Sequence, residues 1–152
     1  MNPIVRVTLL MIHGLSAVTL LGAITHQALA VWWTPRPPAS GWWHALRSVH
    51  PERYASAIVT LFVVTMLLGT SLYPSFRVDV RPGLDTRAPW GTGLFELKEH
   101  GVAIGLALLP AYWCGWRSAS GRGARRALTT FLAIVIWWAF LAGQIVNNLH
   151  GL

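Results

Sequence analysis

Six side chains of types that bind or orient ligands, His13, Glu96, His100, Gln144, Asn147 and His150, fall within or beside long apolar stretches, at similar depths from one side. Ionisable and amide groups are costly inside a bilayer, so such a cluster is by default a functional-site hypothesis. At 1.5 Å per residue, His13 lies about 13 Å into the first stretch and His100 about 9 Å into the third. Two neutral imidazoles facing each other across a bundle are the usual axial pair of a b-type haem. Gly14 and Gly101 each follow one of these histidines and leave room beside it for a flat macrocycle. A hydrogen bond from each histidine to a neighbouring helix explains the same residues without any cofactor.

Glu96 stands four residues before His100 and shares its helix face, so its carboxylate can orient the imidazole or join it as a metal ligand. Acids in a first helical turn also complement the helix dipole. A di-iron bundle needs Glu-x-x-His on two helices, and the chain has no second copy. A mononuclear copper, zinc or iron site from His13, Glu96, His100 and His150 stays open. Gln144, Asn147 and Asn148 share a face, with His150 beyond them. Amides there suit haem propionates or a quinone carbonyl, or clamp two helices. Arg77 and Arg81 are further candidates for propionates, and Tyr73 adds a phenol at the same mouth. His26 does not suggest a second haem: it lies about 140° around the helix from His13. His44 and His50 fall in or beside a connection. No nucleophilic serine or cysteine arrangement, phosphate loop or nucleotide fingerprint occurs. Cys114 is the single cysteine, which excludes an intrachain disulfide, a Cys-x-x-Cys-His haem attachment and an all-cysteine iron–sulfur cluster within the chain.

The elements that must position these groups are apolar spans. The chain has 152 residues, 54% hydrophobic and 11% charged. Four stretches, Ile4–Trp33, Arg53–Phe76, Leu94–Trp116 and Ala127–Leu149, reach the roughly 20 residues that a bilayer core demands. The expected fold is all-α: one integral-membrane four-helix bundle over residues 1–152, with an ordered loop between helices 2 and 3. The first span is too long for a signal peptide and lacks a preceding basic region, so it is expected to remain. The connection from Pro74 to Gly93 alternates charged and apolar residues and is too rich in Pro and Gly for a helix. It is expected to form a lid pinned by Arg–Asp pairs. Residues Trp42 to Arg47 suit a short helix in the headgroup layer. Gly101-x-x-x-Gly105 and Ala139-x-x-x-Gly143 allow close approach of helices, and Pro110 removes a donor from the third span.

The net charge of +7 sits mainly in short loops, where it orients the chain and does not suggest nucleic acid. Seven basic residues (Arg36, Arg47, Arg53, Arg117, Arg122, Arg125 and Arg126) mark one face, against five on the other (Arg6, Arg77, Arg81, Arg87 and Lys98). The positive-inside rule then puts both termini outside a bacterial-type inner membrane.

In architecture and in the placement of His13 and His100, the chain resembles the small four-helix b-type cytochromes that anchor respiratory complexes. That resemblance implies a non-catalytic electron-transfer subunit, with one haem near the outer face and a larger membrane complex as partner. Two readings from other classes stand beside it. One is a cofactor-free accessory subunit of a respiratory or photosynthetic assembly; the other is a subunit holding a quinone or a single metal ion.

Overall fold

The computed structural model describes residues 2–32, 51–118 and 121–150. The expected interfacial segment at Trp42 to Arg47, and with it His44 and His50, lies outside the described residues. Four long helices dominate: α1 (Pro3–Trp32), α2 (Pro51–Ser75), α4 (Pro89–Arg117) and α5 (Arg122–His150). A π-helical turn (Phe76–Val80) and the short α3 (Arg81–Arg87) link α2 to α4.

That link corrects one expectation: the segment after Pro74 is helical, not a loop. The prolines sit where a helix tolerates them. Pro82 and Pro89 occupy the first positions of α3 and α4, where a missing N–H costs nothing. Between them Ala88 leaves the helical region (φ −147°, ψ 71°), as a following proline favours. Pro74 removes one donor at the end of α2, and the chain then widens into the π turn, where the Arg81 N–H reaches the Phe76 carbonyl. The expected pinning by ion pairs is present: Arg6 meets Asp79 at 2.9 Å, and Arg81 meets Glu96 at 3.0 Å and Asp85 at 3.6 Å.

Helix α1 packs against α2 and α5; α4 packs against α5 and, less extensively, α2. Polarity is reversed relative to a protein folded in water. Gln27 and Thr129 are fully buried, while Ile4 (75% exposed), Leu15 (68%) and Ile134 (61%) face outward. Three helical stretches, Pro3–Trp32, Glu52–Arg87 and Arg122–Leu149, are long and apolar enough to cross a membrane. Helix α4 is less apolar, since Glu96, Lys98, Glu99 and His100 occupy its first turns and Pro110, Tyr112, Trp113 and Trp116 its last.

The main core cluster fills one half of the molecule, with Leu72, Leu84, Ala142 and Val146 buried separately in the other. Its members run from Leu20 and Ile24 on α1 through Ile58 and Phe62 on α2 and Leu109 and Tyr112 on α4 to Leu132 and Ile136 on α5. Gly105 closes it from above: a Cβ there would stand 2.9 Å from Phe62 and 3.2 Å from Val135, so only glycine lets the three helices approach so closely. The half that holds the start of α1 and the end of α5 lies beyond this core and is called the upper half below.

Candidate functional site

His13 falls seven residues before Leu20, so it continues the buried stripe of α1 into the upper half, where it is half-buried. Its Nδ1 lies 3.0 Å from the Thr65 carbonyl of α2. A carbonyl oxygen only accepts, so Nδ1 carries the proton and Nε2 keeps its lone pair. Gly69 makes this seat possible, because a Cβ there would come within 3.2 Å of His13 Cε1. Ser16, three residues on, meets Thr65 Oγ1 at 2.6 Å and fixes the same two helices. An imidazole tied at Nδ1 to a backbone carbonyl is held as metal-ligating histidines are held, with Nε2 as the free ligating or accepting atom.

On α5 the buried stripe of Leu132 and Ile136 continues through Ala142 and Val146, and beside it, at Gly143, no side chain of the described residues lies within 4 Å of where a Cβ would be. The same holds for Gly14 on α1. Three of the four helix seams are closed around this region. His13, Ser16 and Gly69 close α1 against α2. The Phe76–Phe95 stack, 3.9 Å between centroids, closes α2 against α4. Gly101 against Trp138 (3.6 Å) and Gly91 against Leu149 (3.0 Å) close α4 against α5.

The fourth seam, α1 against α5, is tied by side-chain hydrogen bonds in the lower half. There Trp137 donates to Thr25 at 2.9 Å, Trp32 to Thr130 at 2.7 Å, and Arg126 to the Val31 carbonyl at 3.1 Å. Above, Leu10 and Gly14 of α1 and Gln144 and Asn147 of α5 are exposed. The amides foreseen as site residues, Gln144 and Asn147, are therefore exposed on the upper part of α5.

The other foreseen residues are arranged differently. Phe62 meets Gly105; five residues along each helix brings Leu67 level with His100, within a turn of the groups that hold His13. The two histidines therefore share a height. They do not share a facing direction: His100 is exposed, about 140° around α4 from the buried Gly105. Glu96 is engaged by Arg81, and Arg77 is exposed on the π turn. Asp85 accepts from Thr92 at 2.6 Å, which ties α3 onto α4. Lys98 lies 2.9 Å from Glu99 and over the Phe95 ring. His150 ends α5. Among the described residues, no three His, Cys, Asp or Glu side chains converge as a metal ion would require.

The lower half holds polar groups that sequence reasoning passed over. Tyr112 donates its hydroxyl to Gln27 across the diagonal of the four helices, and both are fully buried. Trp116 donates to the buried Thr129 at 3.2 Å, and His26 stacks on Tyr54 at 4.8 Å. Arg125 caps α4 by donating to the Gly115 and Ser118 carbonyls, as Arg126 caps α1. The signal for Gln27 and Tyr112 was present: each is a hydrogen-bonding side chain deep in an apolar stretch. No family model, characterised protein or solved structure matches the chain, so its function has to be argued from the site itself.

Proposed function

We propose that the protein is a four-helix integral-membrane subunit of a larger bioenergetic complex, taking part in electron transfer through one redox group held at His13. One observation carries this reading: His13 is half-buried against α2 with Nδ1 tied to the Thr65 carbonyl, which leaves Nε2 as its ligating or accepting atom. Helix α4 is the fourth crossing in this proposal. Its 29 residues extend about 43 Å, more than a bilayer core, and it packs between two helices apolar enough to cross. The basic loops then lie on the cytoplasmic side and the His13 site near the outer face. Partner contact is supported by His100, an exposed imidazole at a membrane depth where such groups need cover.

A b-type haem is the first occupant to test, with His13 as one axial ligand and Gln144, Asn147 or Arg81 near its propionates. The experiment is a dithionite-reduced minus oxidised spectrum of the purified chain, alongside His13→Ala and His100→Ala. Loss of a low-spin band in both variants identifies a haem held by two histidines of one chain. Loss in His13→Ala alone means that the other ligand comes from elsewhere. A cofactor-free accessory subunit is the second reading, favoured by the outward His100 face. It requires that His13→Ala leave pigment content and the turnover of the complex unchanged.

A further inference from the structure

We infer that the lower end of the molecule is a docking surface for anionic phospholipid, whose headgroup phosphate meets the guanidinium groups of Arg117, Arg122, Arg125 and Arg126. The inference rests on the bilayer contact of the apolar helices and is independent of what His13 holds. Its first support is uncompensated charge. The ends of α1 and α4 and the starts of α2 and α5 meet here, tied by the Arg126–Val31, Arg125–Gly115 and His26–Tyr54 contacts. The described residues at this end carry five arginines, the fifth being Arg53, against one acid, Glu52. The ion pairs of the described residues all lie at the opposite end, where Asp79, Asp85, Glu96 and Glu99 each have a basic partner. The sequence between α1 and α2 adds Arg36 and Arg47 to the lower end and no acid. Positive charge that the chain leaves unanswered attracts an anion from outside, and beside apolar helices the anion at hand is a lipid headgroup.

The second support is that three of these charges are held in place. Arg117 lies over the Trp113 ring at 4.2 Å, Arg126 over Trp32 at 5.2 Å and Arg125 over Trp116 at 5.7 Å. Indole rings favour the membrane–water interface, so these stacks keep the guanidinium groups at headgroup height. Arg125 and Arg126 are fastened again by the carbonyls they cap, so less side-chain freedom is lost when an anion arrives.

The third support is the count of donors. A guanidinium has five N–H groups. Arg126 gives one to Val31, and Arg125 gives one each to Gly115 and Ser118, so donors remain on both for phosphate oxygens, which guanidinium binds in forked pairs. A soluble phosphate would meet the same donors. A lipid also gains from Leu29 and Phe131, which are exposed within two turns of Val31 and Arg126 and offer apolar surface to its acyl chains.

The test is native mass spectrometry of the full chain in detergent, equilibrated with equimolar phosphatidylglycerol and phosphatidylcholine, which differ in net headgroup charge. Phosphatidylglycerol is expected to be retained about fivefold or more over phosphatidylcholine, the factor that one basic residue contributes near an anionic surface. Arg117→Gln combined with Arg122→Gln should lower that ratio by about threefold or more. Trp113→Leu, which keeps every charge but removes the seat of Arg117, should lower it by about twofold. Arg77→Gln combined with Arg87→Gln removes as much charge from the opposite end and should leave the ratio unchanged. Circular dichroism confirms that each variant is folded.

Equal retention of the two lipids overturns the inference, as does a ratio indifferent to the Arg117 and Arg122 changes or to Trp113→Leu. A ratio that falls alike in both double variants overturns it too, because net charge alone would then be at work. Displacement of the lipid by excess glycerol phosphate would make the surface one for a soluble anion and also overturns it. None of these results bears on His13, which the redox spectrum judges separately.

Discussion

Replacing Gly105 with alanine should destabilise the fold, and the structure sets the size of the effect. The added Cβ would stand 2.9 Å and 3.2 Å from two carbons of the Phe62 ring and 3.2 Å from Val135 Cγ1. Carbon atoms rest about 3.5–4.0 Å apart, so relief requires movement of roughly half an ångström on two sides at once. Phe62 is 4% exposed and Val135 7%, so neither side chain has free space to retreat into. Overpacking of this kind costs about 1–3 kcal/mol. Phe62→Leu alone removes ring atoms from the core and should cost about 1–2 kcal/mol. Combined with Gly105→Ala it also removes the clashing carbons, so the double variant should be more stable than the sum of the two by about 1 kcal/mol or more. Unfolding in mixed micelles by sodium dodecyl sulfate, followed by far-ultraviolet circular dichroism, measures all three. A neutral Gly105→Ala, or strict additivity, would show that α2, α4 and α5 are not in contact at this level and that the core does not end here.

Tyr112→Phe removes the diagonal hydrogen bond to Gln27 and should cost about 0.6–1.7 kcal/mol in the same assay; no loss would make that bond idle. Gly69→Ala presses a Cβ against the His13 ring and should disturb any His13-dependent haem band more than it disturbs stability. The ion pair of Arg6 and Asp79 is about half exposed, so Asp79→Asn should change stability by less than about 1 kcal/mol, and a larger loss would reveal a load on the pair that its exposure does not suggest. If the arginine-rich loops are cytoplasmic, cysteines introduced at Ser40 and Ser120 in a chain lacking Cys114 should resist membrane-impermeant thiol reagents in intact cells, while one at Ser75 should react; the opposite pattern inverts the topology.

Much of this was legible in the sequence because helices declare themselves by length and apolar composition. All four spans appear as helices, the Gly101–Gly105 spacing serves packing within the chain as read, and the lid carries its Arg–Asp pair. The lid's helical form was missed because proline and glycine were counted without regard to position, and Pro82 and Pro89 both start helices. The depth of His13 and His100 follows from counting residues, but their facing directions depend on rotation. For α4 the rotation was readable: Gly101, Gly105, Leu109, Tyr112 and Trp116 recur every three or four residues, and His100 falls off that stripe. The seat of His13 was not readable, because Thr65 and Gly69 acquire meaning only once α1 lies beside α2. The same is true of Gln27 and Tyr112, which stand 85 residues apart in sequence.

If His13 holds a redox group as proposed, the two halves of the molecule separate stability from binding. Below Gly105, apolar side chains of all four helices interlock, and α1, α4 and α5 are tied to one another by buried or capping hydrogen bonds. Above it, the apolar contacts are fewer and smaller, with Leu72, Leu84, Ala142 and Val146 buried and His13 half-buried on the stripe of α1. Ile58→Ala, at a fully buried position, should thus cost about 2–5 kcal/mol and leave ligand affinity within about twofold, the ligand lying several turns away. Gly143→Leu, at a half-buried position with nothing within 4 Å of its Cβ, should leave stability unchanged or slightly raised. If Gly143→Leu instead destabilises the chain as much as Ile58→Ala, the upper part of α5 is packed as tightly as the core.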